Sequence, residues 1–131
     1  MPKVSAPELE AALEQFIGSE TWYRHSLARK IIYTDGVKYL AEAAGAYWLI
    51  DEVALTQNHR KVRGETFQVW TLRVLPNKKA ILTCDDGNGN VVYSKEIEYT
   101  DFDLPEIDVW AAPTDGPDGK EVWVLYLPSE H

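Results

Sequence analysis

The sequence predicts an α+β fold in which N-terminal helices pack on one face of a mostly antiparallel sheet of four to five strands. Apolar residues recur at helical spacing in the first half of the chain, and short segments rich in β-branched and aromatic residues follow in the second half. Turn-forming residues separate those segments, as is typical of an antiparallel meander. At 131 residues the chain has the size of one domain, so residues 1–131 are predicted to fold as a unit.

Three helices are predicted in the first half. Ser5 and Glu8 form a capping box before the first helix, and an apolar stripe follows until Gly18 ends it. A polar cap and a stopping glycine also bracket the second helix, and the third follows at once. The predicted helices run from Ser5 to Gly18, from Thr34 or Asp35 to Gly45, and from about Ala46 to Gln57.

The predicted strands come after the helices, apart from a short one at Ile31–Tyr33. Residues 21–33 as a whole are ambiguous, because bulky residues at both ends favour an extended chain while Leu27–Lys30 tolerates a helical turn. The main strands are predicted at Phe67–Leu75, Ala80–Cys84, Val91–Tyr99, Ile107–Ala112 and Glu121–Leu127. The last segment is apolar on both faces, which indicates an inner strand.

The cysteine usage and hydropathy predict an ordinary cytoplasmic protein. Cys84 has no second cysteine with which to form an internal disulfide, and the first seven residues lack the apolar segment of a secretory signal. No apolar run reaches the roughly 18 residues that a membrane-spanning helix needs.

The negative charge is concentrated near the C-terminus. Residues 1–84 contain 11 Lys or Arg against 9 Asp or Glu, a net charge of +2, whereas residues 85–131 contain 2 against 12, a net charge of −10. A polyanionic surface repels phosphate groups, so direct binding to nucleic acid is not expected. The basic stretch His59–Arg63 is interpreted as a solvated connector, with phosphate contact or docking on an acidic patch as alternatives.

No motif predicts a metal, a cofactor or a nucleophile. The segment Cys84–Asn90 groups oxygen-bearing side chains around glycine, but it lacks the 12-residue ligand spacing of a calcium loop and is interpreted as a hairpin turn. The three histidines, His25, His59 and His131, are far apart and lack zinc-site spacing. Phosphate-loop and nucleophile-elbow patterns are absent from the sequence.

Asp51 is the most interesting single carboxylate. It lies one position past an apolar stripe and next to bulky aromatic residues, where partial burial would suit a general acid. The structural alternative is a hydrogen bond from its carboxylate to a neighbouring loop or to a tyrosine.

Several segments together carry a resemblance to a known family: Phe16–His25, Tyr33–Tyr39, Ala46–Glu52, Asp86–Asn90 and Leu127–Glu130. With these in view, the chain resembles a family of small bacterial proteins catalogued only as a domain of unknown function. The segment Val109–Lys120 departs from the pattern. The resemblance implies a setting on plasmids, phages and other mobile elements, and it implies no activity.

The leading functional hypothesis is a non-enzymatic protein-binding module. Its small size, its lack of catalytic motifs and its acidic segment suggest an inhibitor of a host nucleic-acid-handling defence effector, of the CRISPR or restriction type, that imitates a phosphate backbone. The predicted acidic face consists of Glu96, Glu98, Asp101, Asp103, Glu106 and Asp108, and the alternative aromatic surface of Trp22, Tyr23, Tyr47 and Trp48.

Two other classes stay open. A small enzyme could assemble a site between helices and sheet from Asp51, His25, Tyr47 or Trp22. A self-assembling accessory protein could use exposed aromatic residues in a dimer.

Overall fold

A computed structural model describes residues 7, 22–25, 28, 30–62, 64–102, 104–115 and 120–130 of the chain. Within these residues, strands outnumber helices. The strands are β1 (Trp22–Arg24), β2 (Ile31–Thr34), β3 (Gln68–Val74), β4 (Ala80–Asp85), β5 (Val91–Ile97), β6 (Glu106–Asp115) and β7 (Glu121–Tyr126). The helices are α1 (Asp35–Ala44) and α2 (Tyr47–Thr56), and a 3-10 turn spans Pro128–Glu130. The predicted first helix, Ser5 to Gly18, lies outside the described residues except for Pro7.

All seven strands belong to one mixed sheet with the order β1-β2-β7-β6-β3-β4-β5. Neighbouring strands are antiparallel, except that β2 and β7 run parallel. The predicted fold class is therefore wrong: the described residues form a mixed sheet of seven strands with one parallel pair and two helices, and not N-terminal helices on a four- to five-stranded antiparallel sheet. As the apolar pattern indicated, β7 is an inner strand.

The error has two physical causes. The three residues of β1 are too few to show a strand period, and pairing with β2 is what holds them extended. The pairing of β2 with β7 joins Ile31 to Trp123 and Tyr33 to Leu125, residues far apart in sequence. No local pattern encodes such a contact, because it depends on the path of the whole intervening chain.

Helix boundaries follow the local chemistry that the sequence contains. The Thr34 hydroxyl oxygen accepts a hydrogen bond from the Val37 amide at 3.3 Å and so caps α1. Gly45 ends α1 in the left-handed conformation, with φ 64°, and its amide donates to the Ala41 carbonyl. The helix α2 begins right after Ala46 and lies within the predicted third helix.

Both helices cover the same face of the sheet, here called the inner face. Their buried residues share a core with alternate residues of the central strands, among them Trp70 and Leu82. The opposite, outer face divides in two. Ile32 and Val122, on β2 and β7, are buried, whereas the outer positions of β3, β4 and β5 are at least partly exposed and include polar residues as well as the apolar Val69 and Ile81. In the described part of the chain no helix has the length and apolar character to cross a membrane.

The Glu130 carboxylate, near the C-terminus, is hydrogen-bonded to the N-terminus of α1. Glu130 Oε1 accepts hydrogen bonds from the Thr34 hydroxyl at 2.7 Å and from the Leu127 amide at 2.9 Å. Its Oε2 accepts from the Gly36 amide at 3.3 Å. A Cβ at Gly36 would lie 2.6 Å from Glu130 Oε1, so this close approach requires glycine. Glu130 thus joins the final turn to the N-terminus of α1, where negative charge is favourable.

We expect Glu130→Ala to lower the free energy of unfolding by about 1–2 kcal/mol, because it removes three hydrogen bonds, two of them at the N-terminus of α1. Denaturant unfolding followed by circular dichroism measures the change. Glu98→Ala, which removes an exposed carboxylate from the end of β5, is the matched control and should be nearly neutral. Equal effects of the two variants would show that the Glu130 contacts contribute nothing.

Cys84 is fully buried on the inner face of β4, directly opposite Trp70 and Tyr93 on the neighbouring strands. Burial, with smaller contributions from Asp85 and other nearby carboxylates, raises the pKa of its thiol to about 12. Since the thiolate is the reactive form, this cysteine is chemically protected in the folded protein.

The native protein should therefore react with a disulfide reagent such as DTNB far more slowly than the chain unfolded in guanidinium. Raising the pH to about 9, past the ordinary thiol pKa, should accelerate labelling of the unfolded chain and leave the native rate low. Similar native and unfolded rates would contradict the burial of Cys84.

Candidate functional site

Three of the predicted acidic residues point to the outer face of the sheet. Glu106 and Asp108 on β6 lie opposite Arg73 and Thr71 on β3, which alternate with buried residues. Glu96 on β5 lies opposite Ile81 of β4. Neighbouring strands are about 4.8 Å apart, so Glu96 and Glu106 lie three strands, or about 14 Å, from each other.

The other predicted acidic residues follow β5 in the chain. Glu98 and Asp101 are exposed at the end of the sheet where β5 stops and β6 begins. Between and beside them the chain is anchored, because Thr100 and Phe102 are buried and the Thr100 amide donates to the Lys78 carbonyl. Asp103 lies outside the described residues.

Basic side chains interrupt this acidic surface. Arg73 contacts the Glu106 carboxylate at 3.4 Å, with both side chains more than half exposed. Asp108 Oδ1 accepts a hydrogen bond from the Thr71 hydroxyl at 2.8 Å. Lys78 and Lys79 are exposed in the turn between β3 and β4, at the same end of the sheet. The outer face is therefore not the uniform negative surface that the count of charges suggests.

The acidic end of the sheet contains a cleft of about 290 Å³. Its lining combines apolar residues from β4, the end of β3 and the end of β5 with the acidic residues Glu96 and Glu98. The lining residues are Leu75, Lys79, Ala80, Ile81, Glu96, Ile97 and Glu98. The sequence analysis missed the apolar lining and Lys79. The alternation of β4 would have placed Ile81 on the outer face, but only the strand order brings it beside Glu96.

The four aromatic residues proposed as an alternative surface do not lie together. Tyr23 faces inward and stacks on Tyr33, with ring centroids 5.7 Å apart. Its neighbour Trp22 must face outward, since successive strand residues alternate, and it is about half exposed. Trp48 packs against the core, and Tyr47 lies at the start of α2.

Tyr23 and Tyr47 are linked through charged residues of α1. The Lys38 ammonium lies 4.3 Å from the centroid of the Tyr23 ring and 3.7 Å from Glu42 Oε1. The Tyr47 hydroxyl donates to the same Glu42 oxygen at 3.1 Å. Partial burial and this bond to Glu42 raise the pKa of the Tyr47 hydroxyl to about 12. Tyr47 is therefore un-ionised at neutral pH and cannot act as a base there.

His25 and Asp51 form a hydrogen-bonded pair between β1 and α2. The His25 Nε2 to Asp51 Oδ1 distance is 2.7 Å, and His25 is 5% exposed while the Asp51 side chain is 58% exposed. His25 Nδ1 accepts from the Ala28 amide at 2.9 Å, which assigns the hydrogen of the neutral ring to Nε2. One ring nitrogen therefore joins His25 to α2, and the other accepts the Ala28 amide. The hydrogen bond to a neighbouring segment, the structural alternative proposed for Asp51, is present.

The segment after β4 is organised as a turn by its own side chains. Asp86 Oδ1 accepts from the amides of Asn88 and Asn90, and Gly87 and Gly89 have φ of 87° and 88°. These bonds to the charged form hold the pKa of the Asp86 carboxyl below its ordinary value. No group of three or more metal-ligating side chains occurs among the residues that the structure describes.

Two residues of the basic stretch after α2, His59 and Val62, pack against the rest of the protein. Val62 is fully buried, and the His59 ring packs edge-on against Tyr93 with ring centroids 5.0 Å apart. Arg60 and Lys61 between them are exposed. This arrangement is that of an anchored connector with solvated charges.

Comparison with known proteins identifies a family and nothing closer. No curated protein and no solved structure matches the chain. A family model described as a family of unknown function, DUF6876, matches residues 7–131. The chain therefore belongs to this family of unknown function.

Proposed function

We propose that the chain is a non-enzymatic protein-binding module that uses the cleft at the acidic end of its sheet to hold a basic side chain of a partner protein. The observation that carries the proposal is the composition of that cleft, in which Glu96 and Glu98 line the same space as the outward-facing Ile81.

The cleft matches the two-part chemistry of arginine and lysine. The aliphatic stem of such a side chain can pack on Ile81 while its charged end reaches the glutamates. A volume of about 290 Å³ lies at the lower end of the range for small-molecule pockets, which suits one inserted side chain. The remaining exposed carboxylates, including Asp101 and Glu106, would contribute long-range attraction and so accelerate association.

The partner class that fits is a protein with a basic groove of the kind that binds nucleic acid. A host defence effector of the CRISPR or restriction type, inhibited by occupation of that groove, is the specific form of the proposal. It requires a cytoplasmic location. The support is chemical: the net charge of −10 in residues 85–131, and the two glutamates of that segment, Glu96 and Glu98, that line the cleft.

Strand addition at β5 is a poor alternative route to a partner or to self-assembly. Among the described residues β5 pairs only with β4, and the register of that pair shifts at Cys84 and Asp85. Lys95 lies opposite the buried Leu82, and its ammonium contacts the Glu52 carboxylate on α2 at 2.9 Å. Irregular pairing and a charge turned toward the core are features that discourage edge-to-edge association.

The double variant Glu96→Lys and Glu98→Lys should slow association with a basic partner by about tenfold or more and weaken inhibition, because attraction becomes repulsion. Surface plasmon resonance with a purified host CRISPR effector or restriction endonuclease measures the rate, at low and at raised salt. In the wild type, raised salt should slow association.

Asp115→Lys with Glu121→Lys is the matched control. These residues face each other across β6 and β7 on the opposite side of the sheet, and the change in net charge is the same. The cleft proposal fails if both double variants fold and slow association equally, or if neither does.

A small enzyme is the second candidate, and the pairing of His25 with Asp51 is the observation that favours it. A histidine oriented by a carboxylate is a common arrangement for a general base. Here, however, the second ring nitrogen accepts the Ala28 amide, and neither cleft described in this structure contains His25 or Asp51. The pair is better explained as a structural contact.

On the structural explanation, Asp51→Ala should lower the free energy of unfolding by about 1–2 kcal/mol, since it leaves the buried His25 donor without this acceptor. Asp51→Asn keeps an acceptor oxygen, so it should lower the free energy of unfolding by less than Asp51→Ala does. Urea unfolding of the wild type and the two variants measures whether their stabilities follow this order. If Asp51→Ala has wild-type stability, the structural explanation fails and the catalytic one gains weight.

A further inference from the structure

A second, larger cleft lies at the opposite end of the sheet, where β2 and β7 begin side by side and α2 ends. Its volume is about 530 Å³, within the range of small-molecule sites. Two cations, one carboxylate, two amides and two apolar side chains line it: Lys30, Ile31, Gln57, Asn58, Lys120, Glu121 and Trp123.

The side-chain amide of Gln57 forms a rigid part of the wall. Its Nε2 donates to the Val53 carbonyl at 3.1 Å and to the Gln68 amide oxygen at 2.8 Å, and its Oε1 accepts from Gln68 Nε2 at 2.9 Å. Gln68 is fully buried and also accepts from the Trp70 indole at 2.8 Å. Because both donor hydrogens of Gln57 are used, its side chain is fixed before any ligand arrives, which lowers the entropic cost of binding.

Two opposite charges of the lining have no ionic partner within the described part of the chain. Lys30 directly precedes β2 and Glu121 is the first residue of β7, so neighbouring strands carry them. Neither side chain forms an ion pair there, with the other or with any further residue. Lys120 is already engaged in an interaction of its own. One ammonium and one carboxylate are therefore open to a ligand.

A second carboxylate increases the need for a cation beside Glu121. Asp115 on β6 lies directly opposite Glu121 in the ladder, and both residues are exposed. Like charges that face each other across two strands destabilise a sheet. Among the described residues, Asp115 forms no ion pair either. An ammonium group bound at Glu121 would relieve this repulsion.

Trp123 gives the cleft a flat apolar surface. It is partly buried, lies opposite Ile31 on β2, and shares a face of the sheet with Glu121 two residues earlier. The Trp123 amide donates to the Lys30 carbonyl at 2.8 Å, which fixes the backbone of Lys30 beside β7. The indole, the ammonium and the carboxylate therefore line one space.

We propose that this cleft binds a free α-amino acid with an aromatic side chain. The ligand carboxylate pairs with the Lys30 ammonium, the ligand ammonium pairs with the Glu121 carboxylate, and the ring packs on Trp123. A zwitterion satisfies both open charges of the lining, whereas a simple anion or cation satisfies one of them. The inference does not depend on the protein-binding function proposed above, since it concerns a different end of the molecule.

A purely structural role of these charges gives a different expectation. The C-terminus of α2 presents the negative end of the helix dipole to this region, and Lys30 would stabilise it electrostatically. In that case the charge of Lys30 affects the stability of the fold, and an added amino acid does not bind.

The test is titration of the full chain with L-phenylalanine at low ionic strength, by calorimetry and by NMR of the tryptophan indole signals. Phenylalaninamide lacks the carboxylate and N-acetylphenylalanine lacks the ammonium. Each should bind about fivefold or more weakly than phenylalanine, since each loses one charge-assisted contact. L-Alanine, which lacks the ring, should also bind more weakly.

Variants assign each charge of the ligand to its partner. Lys30→Gln and Glu121→Gln should each weaken phenylalanine binding about fivefold or more. Lys30→Gln should no longer distinguish phenylalanine from phenylalaninamide, and Glu121→Gln should no longer distinguish it from N-acetylphenylalanine, because the contact is already lost. The matched controls are Lys78→Gln and Glu106→Gln at the other end of the sheet, which should bind like the wild type.

Saturable binding that shifts the Trp123 indole signal, assigned by Trp123→Phe, and that shows this pairing of variants with ligands supports the site. Absence of saturable binding to the folded wild type, or equal weakening by the cleft and control variants, overturns the proposal. If phenylalaninamide or N-acetylphenylalanine binds the wild type as tightly as phenylalanine, recognition of a zwitterion is refuted. Alanine binding as tightly as phenylalanine refutes the contact with Trp123. Should a cleft variant not fold, the ligand series on the wild type decides between these outcomes.

Discussion

The parallel pairing of β2 with β7 determines the position of the C-terminal turn and of the larger cleft. It brings a strand near residue 31 against one near residue 123, and it is the single parallel contact in the described sheet. Once β7 lies beside β2, the turn that follows it places Glu130 on the N-terminus of α1. The same pairing sets Trp123 beside Lys30 and so creates the larger cleft. A contact of such long sequence separation costs loop-closure entropy, and the Glu130 hydrogen bonds and the buried neighbours Leu125 and Ile31 offset that cost.

The two ends of the sheet differ in charge because the connections differ in composition. At the end where β5 stops and β6 begins, carboxylates line a small cleft, although Arg73 and Lys79 reduce the local field. At the other end, Lys30 and Lys120 line a larger cleft together with the Glu121 carboxylate. The net charge of a segment is therefore a poor guide to the potential at a particular cleft, since screening and pairing act over distances of about 10 Å.

Ionisable groups near the helices are largely committed to structure. His25 joins Asp51 and Ala28, Lys38 lies over Tyr23 and beside Glu42, and Lys95 reaches Glu52. Contacts of this kind are expected where a short edge strand such as β1 is held in place by side chains as much as by its own ladder. His25 and Asp51, which the sequence offers as catalytic candidates, are hydrogen-bonded to each other, and His25 also accepts the Ala28 amide.

The sequence by itself determined the local elements. The Thr34 cap and Gly45 stop define α1, the turn residues around Asp86 define a hairpin, and the apolar segment at Val122 predicts an inner strand, because each signal depends on neighbours a few residues away. The sequence also indicated that Glu96 would face solvent, since it alternates with apolar residues of its strand. Only the tertiary structure decided the seven-strand order, the extended state of β1, and the contact of Ile81 with the acidic residues of the cleft. These features depend on which distant strands pair, and pairing is selected by the packing of the whole chain, which no local pattern records.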